Sequence, residues 1–117
     1  MPKTNHPELI RTLALSYPET TERTSCNKAK FEAGKKSFVF LGETGDGWNL
    51  MVKLSDSLGE LELLTEKMPD NYSVGKHGWT TLRFPVGKGP TKKQLTRWID
   101  ESFRLLATKK LIALLDG

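Results

Sequence analysis

Apolar positions along this chain follow two different periods. Leu9, Ile10, Leu13, Ala14 and Tyr17 recur at helical spacing and would form one stripe along a helix. Asn5 offers a side-chain acceptor for the first unpaired amides, and Pro7 brings a fixed φ that suits a first turn. Pro18 sets the end at Tyr17, because the residue before a proline is driven out of helical geometry. Glu19 to Asn27 has no apolar period and is expected to be a polar connection. Beyond it the period falls to two. Ala29, Phe31 and Ala33 alternate with Lys28, Lys30 and Glu32; Gly34-Lys35 supplies turn chemistry, and Ser37 to Leu41 makes a second strand. Gly45-Asp46-Gly47 marks another turn, after which Trp48, Leu50 and Val52 alternate with Asn49, Met51 and Lys53. The expectation is a three-stranded antiparallel meander.

Helical spacing then returns twice. Ser57-Leu58-Gly59-Glu60 matches a capping box, with Leu58, Leu61, Leu64 and Met68 as its inner stripe and Pro69 as its stop. Tyr72 to Gly78 reads as a loop or short strand, Trp79 to Phe84 as a strand, and Pro85 to Pro90 as a turn. Thr91-Lys92-Lys93-Gln94 is a second capping box, followed by the inner positions Leu95, Trp98, Ile99, Ser102 and Leu106. Leu111 to Leu115 either continues that helix or follows a break near Thr108. The order of elements implies an α+β fold, an antiparallel sheet with helices packed on one face. The other face is where function is to be sought.

Composition fits this picture. The chain has 117 residues, 37% hydrophobic and 9% aromatic, enough for one domain spanning residues 1–117 around one core. No apolar run approaches the roughly 20 residues of a membrane span, and no secretory h-region opens the chain. The single cysteine, Cys26, has no partner for a disulfide, which fits a reducing cytoplasm; a cytoplasmic monomer is expected. The formal charge of +4 is unevenly spread. Lys76 to Lys110 contains nine basic residues against Asp100 and Glu101, whereas Asp56 to Asp70 contains five acidic residues against Lys67. A polarised molecule with an anionic partner is the implication.

Candidate chemistry is sparse. Cys26 and His77 are the one nucleophile-and-base pair available, in different loops and without a surrounding signature, and an incidental thiol with a loop histidine is the favoured reading. His6, beside Pro7, is expected to be solvated. Two distant histidines and one cysteine make no metal cage, and the acidic residues among the second helix's leucines read as a solvated face. Gly42-Glu43-Thr44-Gly45 lacks the lysine of a phosphate loop. No catalytic residue, metal or cofactor is expected.

Pro18-Glu19-Thr20-Thr21-Glu22, Thr24-Ser25, Lys30-Phe31-Glu32, His77-Gly78-Trp79 and Ser102-Phe103-Arg104-Leu105-Leu106 occur in an order that resembles the MmcQ/YjbR family through nearly the whole chain. Cys26-Asn27-Lys28 and the lack of a proline near Thr108 depart from that family's pattern. The resemblance implies a CyaY-like fold, also used by frataxins, and a DNA-binding role in which two β-hairpins act as wings. The residues can be placed on such a scheme. If alternation holds, Phe38, Phe40, Trp48, Leu50, Val52, Leu82 and Phe84 face the helices, leaving Lys28, Lys30, Lys53, Thr81 and Arg83 on the open face with Trp79. Lys35 and Lys36 sit at one hairpin tip, Lys76 precedes the Trp79 strand, and Lys88, Lys92 and Lys93 follow it. The expected activity is weak, sequence-tolerant DNA binding through phosphate contacts, with Trp79 free to stack on a base. The alternative is a protein-interaction or small-ligand module with an acidic partner.

Overall fold

The computed structural model describes residues 5–25 and 28–116, and it has the α+β architecture the periods predict. Helix α1, His6–Leu15, begins where the Asn5 side chain accepts the Glu8 amide at 3.1 Å. The segment expected to be a polar connection is instead strand β1, Thr20–Ser25, which pairs along its length with β2, Lys28–Ala33. Its threonines favour a strand, and as the edge of the sheet it needs no apolar alternation. Strands β3, Lys36–Glu43, and β4, Gly47–Lys53, extend this to a four-stranded meander.

Helix α2, Leu58–Lys67, then leads to β5, Tyr72–Val74, a 3-10 turn over Lys76–Gly78 and β6, Trp79–Pro85. The completed sheet is antiparallel throughout, in the order β1-β2-β3-β4-β6-β5. Helix α3, Lys92–Leu106, starts from the expected capping box: Thr91 and Gln94 each satisfy the other's amide. Ala107 turns to an extended conformation, and α4, Lys109–Asp116, follows as a separate helix whose Leu111 amide donates to the Thr108 hydroxyl. Among the described residues no helix is long and apolar enough to cross a membrane.

The helices lie on one face of the sheet. Ile10 and Ala14 of α1 and Leu95, Trp98, Ile99 and Phe103 of α3 meet Phe31, Val39, Leu41, Leu50, Val52 and Leu82 in one buried cluster. Burial of this kind stabilises by about 1.5–3 kcal/mol per large side chain. Leu61 and, in part, Leu64 bring α2 onto it, while Met68, expected to be inward, is 37% exposed.

Three local expectations give way to long-range contacts. The Ser57 capping box does not form; Glu101 of α3 accepts the amides of Ser55 and Ser57 at 2.5 and 3.2 Å and the Ser57 hydroxyl at 2.8 Å. A carboxylate from a neighbouring helix thus serves the positive end of α2. His6 is buried rather than solvated, stacked on Trp48 at 5.2 Å, with Nε2 donating to the Pro90 carbonyl at 3.1 Å. Phe40 leaves the helix face altogether.

The cause of that last change is a β-bulge. Phe31 pairs with Val39 but the next residue, Glu32, pairs with Ser37, so Phe38 is an extra residue on β3. Phe38 and Val39 are therefore both buried, and strict alternation resumes with Phe40 pointing the other way. The buried Ser102 hydroxyl holds the bulge, donating to the Phe38 carbonyl at 2.6 Å and accepting the Lys53 amide at 3.0 Å.

Candidate functional site

Residues paired across antiparallel strands share a face, so the register defines what the open side of the sheet carries. One row crosses all six strands: Arg23, Lys30, Phe40, Met51, Thr81 and Ser73. Two residues away along the strands runs Lys28, Gly42, Asn49 and Arg83; on the other side Lys53 pairs with Trp79. The rows are about 7 Å apart and the strands about 4.8 Å.

Together they form a concavity of about 850 Å³ whose lining includes Arg23, Lys28, Lys30, Phe40, Asn49 and Met51. Phe40 and Met51, paired across β3 and β4 and both half-buried, give it an apolar floor. Trp79 is half-buried as well and supports Phe40 edge-on, with ring centroids 5.8 Å apart at 66°. Gly42 keeps the floor low, since a Cβ there would lie 2.6 Å from the Asn49 Oδ1. Among the described residues neither the Asn49 amide nor the Thr81 hydroxyl has a side-chain hydrogen bond, so both are free for a ligand.

The rim is cationic. On the β1–β2 side Glu32 pairs with it, 2.8 Å from Arg23 Nε and 3.9 Å from Lys30 Nζ. A single acid shared by two bases leaves an excess of positive charge on this rim.

Of the residues expected at an interface, Lys28, Lys30, Lys53, Trp79 and Arg83 come together on this face. Lys35 and Lys36, at the β2–β3 turn, lie at the same end of the sheet as Lys53, Trp79 and the 3-10 turn carrying Lys76. The turn is dictated by Gly78, at φ 82°: a Cβ there would stand 2.1 Å from the Leu54 carbonyl oxygen. Lys88, Lys92 and Lys93 do not join them. The Lys88 carbonyl accepts the Trp48 indole N–H at 3.0 Å, which ties its loop to the helix side, and Lys92 and Lys93 open α3 in the opposite layer. The basic surplus of residues 76–110 is largely on α3 and α4, where Arg97 pairs with Glu60 at 2.6 Å and Arg104 with Asp100 at 2.8 Å.

Arg23 and Phe40 are site residues that the apolar pattern misses. Arg23 was hidden by the polarity of β1, although Thr20, Thr21 and Thr24 around it are strand-favouring. Cys26 lies outside the described residues, and His77 is exposed on its turn. No group of three or more His, Cys, Asp or Glu side chains is positioned to hold a metal among the described residues.

Comparison with known proteins adds two findings. The family model described as YjbR matches residues 15–105. Among solved structures, the Deinococcus radiodurans protein DR2400, described as a DUF419 domain, is similar at TM-score 0.66 and 19% identity, covering 92% of this chain and 85% of that one. This likeness shows the fold. Among curated proteins none matches.

Proposed function

This chain belongs to the YjbR family, and we propose that it binds DNA weakly and without base-specific readout, through the open face of its sheet and the adjoining hairpin tip. The observation that supports this reading is the cationic rim of Arg23, Lys28, Lys30, Lys53 and Arg83 around a face that none of the described helices covers. Cations spaced over such a surface neutralise phosphates and release counterions, which gives affinity without sequence information. Lys35 and Lys36 extend the positive surface beyond the sheet, in the place of a wing.

Fluorescence anisotropy of labelled DNA across a salt series tests it. Micromolar binding should weaken steeply as salt rises, and Lys30→Ala with Arg83→Ala should flatten the log-log slope by roughly one unit per phosphate contact removed. Lys92→Ala with Lys93→Ala, on the far layer, should leave the slope unchanged. Absence of binding at low salt overturns the reading and turns the search to an acidic protein partner.

A further inference from the structure

Resting on that reading, we propose that the nucleic acid taken by the open face is single-stranded, with one unpaired base lying on the Phe40–Met51 floor and its flanking phosphates on Lys28, Lys30 and Arg23. Phosphate contacts alone would need only the rim. The floor is different in kind: an aromatic ring and a thioether, side by side across two strands, inside a concavity. In a duplex each base face is covered by its stacked neighbour, so a duplex offers such a floor nothing to cover it. An unpaired base offers a π-face, and stacking on an aromatic side chain is favourable for every base.

The surroundings match a nucleotide. The cavity, about 850 Å³, is within the range of small-molecule sites, and its cations are gathered on the β1–β2 side. Thr81, paired with Met51 from β6, and Asn49, two residues from Met51 along β4, present unused donors and acceptors where a base edge would lie. Trp79 fixes the Phe40 ring from the side, so the ring is held in place before any ligand arrives.

The test compares three labelled oligonucleotides of about twelve nucleotides at one low salt concentration: a single strand, its duplex, and an abasic strand with the same phosphates. The wild-type protein should bind the normal strand roughly five- to hundredfold more tightly than the abasic one, the span expected of stacking. The duplex should resemble the abasic strand. Phe40→Leu, which keeps an apolar side chain and removes the ring, should abolish the difference, while Lys28→Ala with Lys30→Ala should weaken all three together. Equal affinity for the normal and abasic strands, or tighter binding of the duplex, overturns the base seat and leaves the phosphate reading standing. No binding of any of the three overturns both. The abasic comparison needs no variant and so does not depend on how Phe40→Leu folds.

Discussion

Lys30 and Phe31 are neighbours on β2, and each stands for one face of the sheet. Phe31 is fully buried beneath the helices, in a row with Val39, Val52 and Thr80 that closes against α3. Lys30 belongs to a row on the other side, and there Phe40 and Met51 stay half-buried with none of the described helices over them. On the covered face Ser102 is matched to Phe38 and Lys53, and Glu101 to Ser55 and Ser57, while the buried His6 Nδ1 is the exception among the described residues. On the open face, among the described residues, the Asn49 amide and the Thr81 hydroxyl make no side-chain hydrogen bond, and Arg23 and Lys30 share one acid. The same strands therefore serve stability on one side and leave chemistry available on the other.

The strongest way to break this comparison is to remove one ring from each face. Phe31→Ala should cost about 3–5 kcal/mol, the loss of a fully enclosed aromatic plus the cavity it leaves. Phe40→Ala should cost about 1 kcal/mol, because only part of its surface is withdrawn from water. Urea unfolding midpoints with unchanged m-values would measure both. Equal costs would mean that the two faces do not differ as described.

A smaller effect is expected at Ser102. Ser102→Ala leaves the Phe38 carbonyl and the Lys53 amide without their buried partner, at about 1–3 kcal/mol. Since that hydroxyl also holds the bulge that turns Phe40 outward, the Lys53 amide should exchange with deuterium faster in the variant. Unaltered protection would show that the bulge is maintained by packing alone.

The smallest effect is confined to alkaline solution. Burial raises the Tyr17 hydroxyl well above its ordinary range, helped by Asp100, to which it donates at 3.0 Å. The folded protein thus keeps a proton that the unfolded chain releases above about pH 10. The stability is fully present below that pH and declines as pH rises through it, by at most about 1.4 kcal/mol per pH unit from this group. Tyr17→Phe should have a shallower decline; Tyr72, also raised by burial and then by Glu60, would account for part of what remains. An identical slope in the variant would assign the alkaline loss to other groups.

Much of the fold is legible in the chain because it rests on local physics. The Thr91 box closes within three residues, the Gly34-Lys35 and Gly45-Asp46-Gly47 turns carry their own chemistry, and Trp48, Leu50 and Val52 alternate without interruption. The elements of the site are less so. Strand β1 has no apolar alternation because it is an edge strand, and Arg23 was hidden with it. The Ser57 box is present in the letters, yet Glu101, forty-four residues away, takes the amides.

By itself the sequence determined the α+β class, the number and order of most elements, the single-sided helix stripes and the cationic bias, since each follows from spacing and composition over a few residues. The tertiary structure alone decided which side chains reach the open face. One extra residue at Phe38, held by a hydroxyl from a distant helix, reverses Phe40 from the core to the open side. A two-residue period has no tolerance for an insertion, so every side chain past a bulge changes face, and only the pairing of strands reveals where the insertion lies.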